Sequence, residues 1–101
     1  MNNLKYWVSE CVPLRLDTYY TAALQAAGFE VLDKVEHFFN PQGYTVLYLL
    51  AESHLAIHTF PEHNRAYIEL SSCVDKPYAE FIKHIAKDMR EKTLFYPCVA
   101  L

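Results

Sequence analysis

Residues 44–73 read YTVLYLLAESHLAIHTFPEHNRAYIELSSC, and the rest of the chain is organised around this stretch. Apolar residues run almost unbroken from Tyr44 to Ala51, Glu52-Ser53-His54 interrupts them, and Leu55 to Phe60 resumes the apolar pattern. Pro61 to Arg65 turns the chain, and Ala66 to Cys73 returns. Short apolar runs bounded by turn residues form strands, because an amphipathic helix needs a longer segment with a 3.6-residue period. The spacing therefore predicts strands at 44–51, 55–60 and 66–73, the first of them buried on both faces.

Upstream, 29–39 alternates through Phe29, Val31, Val35, His37 and Phe39, and Pro41-Gln42-Gly43 turns it into the 44–51 strand. Residues 5–11 read as a strand that Pro13 ends. Asp17 is placed to cap a helix running to Ala27, with Ala23, Leu24 and Ala27 on one face and Gly28 as its stop. Downstream, Pro77 takes the first position of a helix that continues to about Met89, with Phe81, Ile82, Ile85 and Met89 at helical spacing. Residues 93–100 are expected to add a closing strand. The order is β-α-β-β-β-β-α-β, which predicts an α+β fold: a two-layer sandwich whose mainly antiparallel sheet carries two helices on one face. The sheet's other face, where apolar, needs a cover, so a homodimer formed by sheet-face packing is expected.

A chain of 101 residues makes one domain, 1–101, since two halves would each be too small to bury a core. Hydrophobic residues are 52% of it, and eight tyrosines and six phenylalanines exceed what a minimal core needs. Some of them are expected in a pocket or a subunit contact. A net charge of −3 lacks the basic footprint of a nucleic-acid partner. The longest apolar run, 46–51, is too short to cross a bilayer, so no membrane partner is expected. Cys11, Cys73 and Cys98 form an odd set without CxxC spacing, and the first residues lack an apolar signal run. Both features lead to an expectation of reduced thiols in a cytoplasmic protein.

Chemistry concentrates at the junction of the first two central strands. Strain at a tight turn tips a peptide carbonyl toward attack by the next hydroxyl, here Ser53 on the carbonyl of Glu52. The resulting ester is open to β-elimination by a base near neutrality, such as an imidazole. On a strand, His58 shares a face with Ala56 and Phe60 and opposes Ile57. Spacing alone leaves other readings open. Ser53 suits an ordinary turn, His54, His58 and His63 suit a surface, and Cys73 suits a buried apolar site. Zinc is disfavoured, because His54 and His58 on a strand lie roughly 13 Å apart. No metal is expected.

The run Glu52-Ser53-His54-Leu55, then Ile57-His58-Thr59, then Pro61-Glu62 resembles the processing site of prokaryotic S-adenosylmethionine decarboxylases. The likeness extends upstream through Phe39, Pro41 and Gly43 and downstream to Cys73. It implies self-cleavage between 52 and 53, giving chains 1–52 and 53–101, with Ser53 converted to a pyruvoyl group that serves as the cofactor. The same resemblance makes His58 the processing base, Thr45 its assistant and Cys73 the proton donor in turnover. It places Phe39 and Phe60 on either side of the adenine and Glu62 at the ribose. The implied substrate is S-adenosylmethionine, which forms a Schiff base with the ketone and loses carbon dioxide, supplying the aminopropyl donor for spermidine. Three departures stand out: Phe60 where the family has tryptophan, Ala56 for a hydroxyl residue, and Val74 for glycine after Cys73. The alternatives are a pyruvoyl decarboxylase of a smaller amino acid such as arginine or ornithine, an unprocessed regulatory paralogue, and a metal-binding module.

Overall fold

The structure, a computed structural model, describes residues 1–91. The elements are β1 (Asn2–Val8), α1 (Pro13–Ala27), β2 (Val31–Phe38), β3 (Tyr44–Leu50), β4 (Ser53–Phe60), a 3-10 turn (Pro61–His63), β5 (Arg65–Ser72) and α2 (Asp75–Glu91). The strands form one sheet in the order β1-β5-β4-β3-β2, antiparallel at every pairing. This is the expected two-layer α+β sandwich; the strand expected at 93–100 lies outside the described residues.

Burial alternates along the central strands as a half-covered sheet requires. Tyr44, Val46, Tyr48 and Leu50 of β3, Leu55 and Ile57 of β4, and Ile68 and Leu70 of β5 meet Leu16, Tyr20 and Leu24 of α1 and Phe81 and Ile85 of α2. The other face is left open. Leu47 and Leu49 are 44% and 53% exposed, so β3 is not buried on both faces as its composition suggested. Two of its three outward positions, Leu47 and Leu49, are apolar too, and a mostly apolar strand hides the alternation. Trp7 of β1 and Val35 of β2 join them as exposed apolar side chains on the same sheet.

Pro13 begins α1 instead of merely ending β1, since its fixed φ and missing N–H suit the first helical position. Asp17 is therefore not the cap. Val12 takes the N-cap position, with no side chain bonded to the first helical N–H groups; just ahead of it, one carboxylate oxygen of the fully buried Glu10 accepts the N–H groups of Cys11 (3.0 Å) and Val12 (2.9 Å). Its other oxygen lies 3.5 Å from the Arg15 guanidinium. A negative charge there also complements the helix dipole. Gly28, at φ 102°, closes the helix as its position suggested, and the N–H of Phe29 returns to the Leu24 carbonyl.

In β2 the register shifts between Val31 and Asp33, a bulge that inverts the face of the later strand residues. Val31 packs toward the helices, whereas Val35 and His37 pair with Leu47 and Thr45 and share their open face. Helix α2 starts at Asp75, so Pro77 is its third residue, not its first.

Candidate active site

The β3–β4 connection is a tight hairpin, with Leu50 paired to Ser53 and only Ala51 and Glu52 between. Such a short loop demands left-handed backbone, and Glu52 adopts it at φ 57° without being glycine. That conformation costs about 1–3 kcal/mol at Glu52, the residue whose carbonyl precedes Ser53. The Glu52 carbonyl accepts the backbone N–H of Cys73 at 3.0 Å. Ser53 is buried, and its hydroxyl donates to Ser72 Oγ at 2.9 Å. The Cys73 side chain is exposed beside them. One peptide group thus gathers Glu52, Ser53 and Cys73, three of the expected site residues. Val74 has no positive φ, so its backbone does not need the glycine usual in the resembled motif.

A second cluster lies toward the far end of β4, on the open face. Thr45 and His58 are direct cross-strand partners, with Thr45 Oγ1 and His58 Nδ1 3.0 Å apart. The imidazole stacks on Tyr67 at 6.4 Å between centroids. Tyr67 and Phe60 both meet Trp7, at 5.2 and 5.8 Å, and the Arg65 guanidinium sits 3.9 Å above the Trp7 ring. Glu62 comes next, in the 3-10 turn, and is exposed. Phe39 stands beyond β2 at the same end of the sheet, its N–H bonded to the Gly43 carbonyl and its ring edge-on to His37. Strand β3 runs between Phe39 and Phe60, so they are separated by two strand spacings, roughly 10 Å.

The two clusters do not meet within one chain. Ser53 and His58 lie five residues apart on one strand, roughly 17 Å, and alternate to opposite faces. Ser72, Trp7 and Tyr67 do not stand out in the sequence. Trp7 shares a face with Phe60 only once the β1–β5–β4 pairing is known, and Ser72 meets Ser53 only through the β4–β5 register.

Polar groups behind β3 hold it against α1. Asp17 accepts from the Tyr48 hydroxyl and from Lys34 Nζ, and Glu36 accepts from the Tyr44 hydroxyl. Burial, reinforced by the neighbouring carboxylates, pushes both tyrosine hydroxyls well above their ordinary pKa. Burial also works to raise Asp17, but the bonds from Tyr48, Lys34 and Thr21 outweigh it and hold that carboxyl below its usual value. Among the described residues, no three His, Cys, Asp or Glu side chains gather as a metal site.

Residues 13–96 match the family model described as S-adenosylmethionine decarboxylase. An S-adenosylmethionine decarboxylase proenzyme of Parasynechococcus marenigrum (strain WH8102) is 40% identical over 85 residues, covering 78% of this chain and 66% of that protein. One from Prochlorococcus marinus (strain MIT 9313) is 46% identical over 65 residues, covering 64% of this chain and 52% of its own length. The chain thus spans between half and two thirds of these relatives. The crystal structure of the adenosylmethionine decarboxylase from Aquifex aeolicus VF5 superposes with a TM-score of 0.64 at 21% identity, covering 87% of this chain and 75% of that one, a likeness of fold. Taken with the strained Glu52-Ser53 hairpin, the family match over 13–96 settles the classification: the chain belongs to the S-adenosylmethionine decarboxylase family of pyruvoyl-dependent enzymes.

Proposed function

We propose that this chain cuts itself between Glu52 and Ser53 and then decarboxylates S-adenosylmethionine. The observation that carries the reading is the Glu52 carbonyl, set in left-handed backbone and hydrogen-bonded by the Cys73 N–H. A donor aimed at that oxygen stabilises the negative charge that develops on it during attack. A lone pair of Ser53 Oγ bonds to the Glu52 carbonyl carbon, and the C–N electron pair leaves on the Ser53 nitrogen, which takes up the hydroxyl proton. A base then removes the Ser53 Cα proton, the Cβ–Oγ bond breaks, and the Glu52 carboxylate departs. The remaining dehydroalanine takes up water and releases ammonia. Burial of Ser53 and the fixed neighbours of its peptide suit a reactive group formed at this position.

His58 is the base. For its Nε2 to accept a proton, the ring proton must sit on Nδ1 and donate to Thr45 Oγ1, the bond the cross-strand pair is built to make. The distance from Ser53 forbids that step within one chain, so His58 of a second copy performs it. Two open faces packed about a two-fold axis across the strands bring His58 of each copy to the open side of the other's β3–β4 hairpin, where the imidazole approaches the Ser53 backbone from the face opposite its side chain, making two equal sites. The exposed Leu47, Leu49 and Val35 are the surface such packing buries.

The pyruvoyl group, once formed, supplies a ketone that draws off the electron pair freed as carbon dioxide leaves. Cys73 returns a proton to the substrate carbon, Phe39 and Phe60 hold the adenine, and Glu62 binds the ribose hydroxyls. Aromatic faces at the site also favour a sulfonium cation, by about 0.5–2 kcal/mol. An intact-mass spectrum of the purified protein tests the reading, paired with an assay of carbon dioxide release from S-adenosylmethionine. The spectrum should show fragments of 52 and 49 residues, the second lighter by one ammonia than a serine-headed chain. Ser53→Ala should stay whole and inactive. A wild-type chain that remains uncut refutes the proposal.

A further inference from the structure

We infer that Ser72 is a positioning residue for self-cleavage, holding the Ser53 hydroxyl in its attacking orientation; the inference rests on the self-processing reading above. Ser72 is fully buried at the end of β5, directly opposite Ser53 in the register. Its hydroxyl proton goes to the Val74 carbonyl at 3.1 Å, and its oxygen accepts the Val74 N–H at 3.0 Å. A serine hydroxyl has one proton and two lone pairs. With its proton committed to Val74, Ser72 meets Ser53 only as an acceptor, and the 2.9 Å contact runs from Ser53 Oγ to Ser72 Oγ.

This direction has a chemical consequence. The Ser53 proton points at Ser72, which leaves both Ser53 lone pairs turned away from it and free for attack. A serine side chain has three staggered rotamers, and the bond to a fixed neighbour selects one of them. Ser72 is fixed because it closes a small turn with Val74, the residue that leads into α2. The adjacent Cys73 N–H holds the carbonyl that is attacked. One short segment, 72–74, thus aligns nucleophile and electrophile together. Ser72 takes no part in bond making; the hydroxyl proton passes to the Ser53 nitrogen as the C–N bond breaks.

Scission of the full-length chain tests this, read by intact mass with a hydroxylamine challenge, which cuts an ester and spares an amide. Ser72→Ala should slow scission by about tenfold to a hundredfold, the cost of a misplaced reacting atom. Its uncut chains should resist hydroxylamine, because the block falls before the ester. His58→Ala should instead accumulate a hydroxylamine-sensitive chain, a signature that general loosening at position 72 does not copy. Ser72→Thr should cut at close to the wild-type rate and Ser72→Val should not, a pair that differs by a hydroxyl against a methyl and serves if the alanine variant folds poorly. Equal rates for Ser72→Thr and Ser72→Val, or an ester accumulating in Ser72→Ala, overturn the inference while leaving self-processing intact. A wild-type chain that never cuts overturns both.

Discussion

If Ser53 and His58 act across two copies, two dead variants should repair each other. Ser53→Ala lacks the nucleophile and His58→Ala lacks the base, so each homodimer is blocked. In a mixed dimer, one site joins Ser53 of the His58→Ala chain to His58 of the Ser53→Ala chain, and is whole. The other site lacks both groups. With equal co-expression and random pairing, half of the dimers are mixed, so about a quarter of all sites should be intact. Only His58→Ala chains carry Ser53, and about half of them should be cut. The assay is intact mass of co-expressed chains bearing different tags, which assigns each fragment to its parent. The prediction rests on a separation of roughly 17 Å along β4, which no side-chain rotation bridges within one chain. Appearance of cut chains only in mixtures supports action between copies. If co-expression yields no scission while each wild-type control cuts normally, the two residues work within one chain and the dimeric site is wrong.

Thr45→Val removes the partner that fixes the His58 tautomer, so ester elimination should slow by about tenfold to a hundredfold, seen as a hydroxylamine-sensitive chain that Thr45→Ser does not accumulate. Cys73→Ala should still cut, because the group that holds the Glu52 carbonyl is backbone, yet carbon dioxide release should fall or the product be protonated wrongly. Glu10→Ala removes the charged acceptor of the Cys11 and Val12 N–H groups just ahead of α1 and should cost about 1–3 kcal/mol in urea unfolding. Asp17 is depressed in the fold, so its stabilising effect is present above the ordinary carboxyl value near 3.9 and fades as pH falls through and below it. Asp17→Asn should therefore unfold more easily at pH 7 and show a shallower loss of stability on acidification.

The three central strands are legible in the sequence because each is short, mostly apolar and closed by turn residues, too short to form an amphipathic helix. The start of α1 is hidden for a related reason. The same fixed φ that lets proline end a strand lets it begin a helix, and here the N-cap is Val12, a residue with no capping side chain to mark the start. Strand β3 looks buried on both faces because Leu47 and Leu49 are as apolar as the core positions between them. Sequence records the preference of a side chain for burial and does not say which molecule supplies the cover.

The site divides along the same line. Glu52, Ser53, Thr45, His58 and Cys73 stand out through local spacing and resemblance, but their grouping depends on register. Thr45 reaches His58 because β3 and β4 pair as they do, whereas Ser53 reaches Ser72 through a different strand and the opposite face. The hairpin therefore gives each chain a strained, hydrogen-bonded carbonyl with its own nucleophile, while the base projects from the open face at the other end. A nucleophile and its carbonyl must share a chain, since they are consecutive residues. The base need not, and in the proposed dimer, placing it across an apolar face would tie the second half of the reaction to the event that buries Leu47 and Leu49. On that proposal the exposed face and the separation of Ser53 from His58 have one physical explanation.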